Sequence, residues 1–502
     1  MSPTLMSWRV CQSSCLAKTA QRRGALPSTL LSKVGVKARA SGVVGRVSIR
    51  RQARWYQSAV RLVARTVDGD ILDRPGSIPN PAESLAKPPP EAPLIEVTKE
   101  PESPDPSPPV TWQQLADKIA PVKRFREYRP LTVSDLVSPM WCELQYFNSL
   151  SKYGKIKRSA QMKRGGEVHK KLELEVHEFV PVDIQTREDG WGLRLWNIIQ
   201  GLRTLRVTGM TRELDVWGIV NGQVISGVID EVSYTCPDPE LEIALLASAE
   251  EAKTGKKDPD QMSIEEFFAK RKSREDKLTE AGPRVYVIDT KTRAYPSLPS
   301  AASSRAVKMQ LMLYRFLITQ LCTDKVSGTA IFSRYGVDAN VTFSETFLKQ
   351  IAELEFNFSQ QASSAEAALS SQASTFSELR EHANLSTLWD LVIREYKTTF
   401  TPAMLSPVLT AVFRTQSMGA YIGQRTFVHD DAELEKHVVD ELAWWAGQRA
   451  PRGVDIEDAF KCRMCEFAEG CDWRKDREKE AMEMAKAKRG RPKKRKSDET
   501  SP

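Results

Sequence analysis

The chain has 502 residues, is 41% hydrophobic and carries a formal net charge of +8, and it offers no run of about 18 apolar residues from which to build a membrane-spanning helix. The charge excludes a generally basic surface. Residues 1–67 hold thirteen Lys or Arg without an acid, residues 486–496 hold eight more, and the rest sets 52 basic against 65 acidic residues. Any nucleic acid must therefore be met in a local groove. Eight cysteines in such a length do not suggest a secreted disulfide framework.

Residues 1–65 are rich in Arg, Ser and Ala and lack a long apolar stretch, the composition of a mitochondrial transit peptide leading to the matrix; the alternative is a disordered basic arm. Arg54-Trp-Tyr56 resembles an R-x-Y processing site, with a cut expected after Tyr56. Twelve prolines within residues 75–109 make residues 66–110 a partly extended linker. The folded body is expected to begin near Val110 and to fill residues 111–480, with a basic disordered tail over 481–502.

Thr132 or Ser134 is placed to cap a helix running through Met140-Trp-Cys142-Glu-Leu-Gln-Tyr146. Val168, Leu172, Val176 and Phe179 recur at helical spacing, with Gly165-Gly166 before or at the helix start and His169 beside the apolar stripe. Residues 191–209 read as another helix. Asn221-Gly222 is a hairpin turn, and its second strand ends in Gly227-Val-Ile-Asp230. Residues 236–283 form a polar insertion on the outside of the fold, with a solvated helix over 263–278. The strand that follows it, Val285 to Asp289, then lies beside the one ending at Asp230. Arg305 to Cys322 is a buried helix, and a second hairpin is expected over 326–343 around Gly336-Val-Asp. Beyond a helix at 345–358 and a loose connector to 374, helices are expected to about residue 450, with Trp444 and Trp445 packed on the body.

Side chains alternate along a strand, so Asp289 and Lys291 share a face. An acid beside a lysine suits metal-assisted phosphodiester hydrolysis. With His169 and Asp230 added, one imidazole and two carboxylates can hold Mg²⁺ or Mn²⁺ and leave positions for water and a phosphate oxygen. Gln310 and Tyr314 lie one turn apart on a helix face and offer polar atoms to substrate or to the lysine. Cys462, Cys465 and Cys471, spaced C-x₂-C-x₅-C, are three metal ligands that need a fourth, from Cys142, a histidine or another thiol; zinc is the simplest filling. Trp141, Tyr146, Phe147 and the basic residues of 155–164 are candidates for base stacking and phosphate contact, the alternative being core packing and a solvated face. Arg489-Gly-Arg491-Pro492 resembles an AT-hook core, expected to give the tail nonspecific DNA affinity.

The order G-x-x-x-H, G-x-x-D, D-x-K and Q-x-x-x-Y, carried by Gly165 to His169, Gly227 to Asp230, Asp289 to Lys291, and Gln310 to Tyr314, resembles the RecB-type branch of the PD-(D/E)xK nucleases. The resemblance implies an α/β (α+β), restriction-endonuclease-like core, with a mixed central sheet flanked by helices. It makes His169, Asp230 and Asp289 metal ligands and Lys291 the residue that assists the nucleophile. Cys142 ahead of that core and Cys462, Cys465 and Cys471 behind it are similar to the four cysteines that hold a [4Fe–4S] cluster in a subset of these nucleases. The chain has no G-x-x-x-x-G-K-[ST], so a helicase fusion is excluded. A stand-alone enzyme with an import signal most resembles the exonuclease V family. That resemblance implies a metal-dependent exonuclease that degrades single-stranded DNA from a 5′ end, releases short oligonucleotides and acts in mitochondrial DNA maintenance. A monomer is expected, with single-stranded DNA and a single-strand-binding protein as its expected partners. A catalytically silent DNA-binding protein, a nuclease acting on RNA and an endonuclease are the alternatives.

Overall fold

Burial of apolar side chains on both faces of one sheet organises the part of the chain that this computed structural model describes, namely residues 59–65, 71–72, 120–156, 159–254, 272–274, 283–361 and 375–489. Strands β1 (Ala59–Arg65) and β2 (Ile71–Leu72) precede helix α1 (Pro121–Phe125), β3 (Leu131–Thr132) and α2 (Val133–Val137). Thr132 and Asp135 close a capping box at the start of α2, which satisfies otherwise orphaned N–H groups. A 3₁₀ turn, Ser138–Trp141, leads into α3 (Glu143–Tyr153), and Cys142 sits at the N-cap between them. It therefore lies at a joint rather than inside the helix expected there.

Helix α4 (Ala160–Leu174) passes straight through Gly165 and Gly166, so the glycines lie within it and not at its start. Phe179 belongs to the next strand, β4 (His177–Asp183). The long helix α5 (Arg187–Thr208) starts at a second capping box, Thr186 with Asp189, and ends at Gly209 with φ +82°. Strands β5 (Met210–Val220) and β6 (Gln223–Ser233) follow, joined by Asn221 and Gly222 at φ +47° and +74°, the backbone a two-residue hairpin turn requires. Then come α6 (Pro239–Thr254), β7 (Val285–Arg293), α7 (Arg305–Cys322), α8 (Gly328–Tyr335), α9 (Glu345–Gln361), α10 (Thr375–Glu381), α11 (Leu385–Thr399), β8 (Leu405–Thr415), β9 (Tyr421–Val428), α12 (Asp431–Trp445), a 3₁₀ segment Ile456–Met464 and α13 (Asp472–Arg489).

The sheet is mixed. β6 is antiparallel to β5 along its length. Its other edge is shared: β3 pairs in parallel at Ile225 and Ser226, and β7 pairs antiparallel at Glu231, Val232 and Ser233. β7 runs parallel to β8, and β8 antiparallel to β9. Helices cover both faces. The Trp217 ring meets Trp191 of α5 and Trp389 of α11, while a side chain on neighbouring Gly218 would run into Leu317 and Gln320 of α7. This is the mixed, helix-flanked core of the PD-(D/E)xK type.

Several expectations are corrected. The hairpin expected over 326–343 is α8: the Ser327 side chain caps it, Ile331 and Phe332 are buried, and Gly336 is its left-handed terminator rather than a hairpin turn. Helices were expected through 405–428, where β8 and β9 lie; Leu405, Val408, Leu409, Ala411 and Phe413 are buried, and a strand covered on both faces loses the alternation that marks it. The body does not begin near Val110, since β1 pairs with β4 and buries Leu62, Val63 and Ala64. The insertion is not wholly external: buried Glu242 of α6 accepts from Tyr286 (2.5 Å) and Arg284 (2.9 Å). The tail's first part, to Arg489, is helical. The expectations for residues 1–58, for most of the linker, for most of 263–278 and for 490–502 lie outside the described residues.

Helix α12 holds the N-terminal helices from behind. Trp445 Nε1 donates to the Asp135 carbonyl (3.3 Å), and Asp135 in turn receives Tyr146 Oη (2.6 Å) and the Arg126 guanidinium. One acid of this helix is buried without a partner on its Oε2, Glu441. Burial first, and then Glu143, push its carboxyl up to about 9. A folded-state pKa above the unfolded value means that the folded protein keeps a proton the unfolded chain loses, so this contribution is full below the unfolded pKa and fades as pH rises toward the folded one. Glu441→Gln should therefore gain stability over wild type between about pH 6 and about pH 8.5, by on the order of 1 kcal/mol per pH unit. Urea midpoints of both proteins at the two pH values measure this, and parallel pH dependences would remove Glu441 as the cause.

Candidate active site

The shared edge of β6 creates the site. Between the residues paired with β3 and those paired with β7, residues 227–230 meet no ladder partner on that side. Asp230 stands at the end of this gap and its Oδ2 accepts the Thr290 N–H of β7 at 2.7 Å. A carboxylate has replaced a backbone carbonyl as the acceptor, so the two strands part there without orphaning a donor. On β7, Asp289 and Lys291 share a face as the alternation requires, with Lys291 Nζ 3.1 Å from Asp289 Oδ1 and 2.9 Å from Oδ2.

The two motif glycines are positions of close approach. A Cβ on Gly227 would lie 2.8 Å from the Tyr314 ring and 2.9 Å from Val133. A Cβ on Gly165 would lie 2.9 Å from Thr292 Oγ1, so its absence lets α4 settle on the end of β7. One turn further along α4, His169 Nδ1 is 3.6 Å from Asp230 Oδ1 and 3.9 Å from Glu213 Oε1. Ligand atoms of His169, Glu213 and Asp230 all lie within 4.8 Å of one another, and no other described His, Cys, Asp or Glu side chains form such a group. Asp289 stands beside it, fully buried and turned to Lys291.

Glu213 is the residue that motif reasoning misses. Hairpin register counted from Asn221-Gly222 sets 213 opposite 230, a signal available in the sequence. The ladder skips that one pair, and Glu213 takes φ +52°, a left-handed backbone that costs a non-glycine residue about 1–2 kcal/mol.

Burial dominates the electrostatics. It pushes Asp230 up to about 6, with Lys291 opposing and Glu213 reinforcing, and Asp289 up to about 7, with Lys291 opposing and Asp230 reinforcing. Burial also lowers His169, chiefly against the pull of Glu213, which keeps an imidazole lone pair available. Three carboxylates and one lysine in a desolvated cleft carry an excess of negative charge that a divalent cation would neutralise. One nitrogen and several oxygens are the donors Mg²⁺ or Mn²⁺ accept, so these residues fit such an ion. Gln310 Nε2 donates to Tyr314 Oη at 2.9 Å, and Tyr314 is raised by burial and then by Asp289 and Asp230. The tyrosine of the Q-x-x-x-Y pair thus feels the charge of both acids.

The four expected cysteines converge. Cys142, Cys462, Cys465 and Cys471 line one cavity with Trp141, Phe467 and Trp473. Burial, followed by Cys465 and Cys471, pushes the Cys142 thiol up to about 11. The stacking candidates do not reach the cleft. Tyr146 and Phe147 are buried, and Trp141 faces the cysteine cavity beneath Lys461. These rings serve packing.

The chain that carries this geometry is similar to known proteins. A family model described as "Exonuclease V - a 5' deoxyribonuclease" matches residues 120–474, a span containing every site residue named above. The chain is 28% identical over 365 residues to "Exonuclease V" of Danio rerio, covering 72% of this chain and 74% of that protein. It is 22% identical over 421 residues to "Exonuclease V, mitochondrial" of Candida glabrata, covering 69% and 80%. With the protein of the same name from Eremothecium gossypii it shares 23% over 431 residues, covering 69% and 77%.

If Glu213 is a ligand, Glu213→Gln should weaken Mn²⁺ binding by about tenfold or more, measured by calorimetry on the folded protein. Affinity equal to wild type would take Glu213 out of the ligand set.

Proposed function

Because the chain belongs to the exonuclease V family, we propose that it is a metal-dependent exonuclease that degrades single-stranded DNA from a 5′ end, releases short oligonucleotides and acts in mitochondria. The observation that carries this reading is the imidazole–carboxylate group of His169, Glu213 and Asp230 beside the Asp289–Lys291 pair.

His169, Asp230 and Asp289, joined by Glu213, would hold Mg²⁺ or Mn²⁺. When bound, such an ion lowers the pKa of its water and polarises a phosphate oxygen. The chain's own groups do the rest. Asp289 holds the Lys291 ammonium at the cleft, where it can orient the attacking water or screen phosphate charge. Tyr314, anchored by Gln310, closes the wall behind the acids. Around the opening, Tyr295 is 77% exposed two residues beyond β7, and Tyr421 is 59% exposed at the start of β9. Arg293 pairs with Thr415, and Arg414 with Tyr421, so both rings lie at one end of the sheet. With the exposed Lys163 and Arg164 of α4, they offer stacking and phosphate contacts to a single strand.

The cysteine cavity fits a [4Fe–4S] cluster held by Cys142, Cys462, Cys465 and Cys471, whose role is to clasp the two ends of the nuclease core. Four thiolates are the ligand set of such a cluster, and the same set also accepts zinc. Mitochondrial placement is supported by the acid-free, arginine-containing residues 1–65 and by the names of the fungal relatives.

Digestion of end-labelled single-stranded DNA and RNA with Mg²⁺ tests the reading. Wild type should shorten the DNA from its 5′ end, Asp289→Ala should be inactive, and Tyr295→Ala should raise KM more than it lowers kcat. Equal activity of wild type and Asp289→Ala would refute the site, and preferential cleavage of RNA would refute the substrate. Separately, anaerobically purified protein should contain about four irons per chain and lose them in Cys471→Ser. One zinc without iron would end the cluster assignment.

A further inference from the structure

We infer that Arg61, on the strand immediately downstream of the basic leader, is a positioning residue for the metal site: it staples the helix that bears His169 to the strand that bears Glu213. This rests on the reading of those residues as metal ligands. Arg61 Nε lies 2.9 Å from Glu173 Oε1, and Arg61 Nη1 donates to the Glu213 carbonyl at 3.1 Å. Glu173 is one turn beyond His169 on α4, hence on the same side of the helix. One guanidinium therefore holds both ligand-bearing elements, using two donors of its planar fork. Both partners of the ion pair are largely desolvated, with side chains 17% and 14% exposed.

Glu213 needs such support. The ladder skips its pairing with Asp230, its backbone is left-handed, and its carbonyl is met by Arg61. A residue in an unfavourable backbone well persists only where the surroundings over-determine it. β1 supplies a rigid mount for the arginine. It pairs in parallel with β4 from Ala59 to Arg65. Asn197 of α5 brackets Leu62, accepting from its N–H at 3.0 Å and donating to its carbonyl at 2.8 Å. Leu62, Val63 and Ala64 are buried. The strand lies only three residues beyond Tyr56, so a leader removed at that tyrosine leaves the staple intact, whereas removal through residue 65 deletes it.

The test uses the full chain with three substitutions and two readouts, Mn²⁺ affinity without DNA and the urea midpoint. Arg61→Ala should weaken Mn²⁺ binding by about tenfold and raise the metal concentration for half-maximal nuclease activity in parallel. Arg61→Lys keeps the charge beside Glu173 but cannot span both partners, so it should recover only part of the affinity. Leu62→Ala removes packing from the same strand without touching the staple; it should lower the urea midpoint and leave Mn²⁺ affinity as in wild type. Wild-type affinity in folded Arg61→Ala would overturn the proposal, as would an equal loss of affinity in Leu62→Ala. Binding is read without substrate, so a protein inactive on DNA would sink the nuclease reading while the effect of Arg61 on Mn²⁺ stayed measurable.

Discussion

A single hydrogen bond, from the Thr290 N–H to Asp230 Oδ2 at 2.7 Å, decides where this molecule can do chemistry. Two strands of one sheet must part to open a cleft, and parting strands orphans backbone groups whose burial is costly. An acid at the parting point satisfies the donor with one oxygen and leaves the other free for a cation. The acid is half-buried beside fully buried Asp289, and loss of water works against the charge of both. Lys291 offsets part of that cost, and a divalent cation would offset the rest. The geometry that opens the sheet therefore also sets two acids beside one lysine.

The remaining structure keeps that opening rigid. Motif glycines let α4 and Tyr314 approach the strands closely enough to deliver an imidazole and a phenol. On the far side, Arg449 grips Glu143 with both terminal nitrogens, at 2.7 and 2.8 Å, and so fastens the segment after α12 to the helix that follows Cys142. Lys152 reaches Glu466, which lies between Cys465 and Cys471, at 2.7 Å. These contacts join the chain's early and late segments beside the cysteine cavity. A cluster there would strengthen a closure the protein part already makes.

The misread segments share a physical cause. β8 lies between β7 and β9 with helices against it, and its row of buried residues has the composition of a helix core as much as of a strand. Gly336 was legible as a left-handed position, yet left-handed glycines end helices as often as they turn hairpins. Tyr146 and Phe147 look like stacking residues to anyone who expects a nucleic-acid groove. Tyr146 instead completes the buried Asp135–Arg126 network, and Phe147 packs edge-on against Phe125.

Local spacing alone determined that Asp289 and Lys291 share a face, that Asn221-Gly222 reverses the chain, that Gln310 and Tyr314 lie one turn apart, and that Cys462, Cys465 and Cys471 crowd together. Those relations depend on backbone periods and turn sterics, which act over a few residues. Tertiary structure decided the rest: that β1 docks on β4, that Cys142 meets thiols more than 300 residues away, and that β8 runs beside β7. Each of these depends on which apolar faces bury one another. That choice is settled by the packing of the whole core, so no short window of residues contains it.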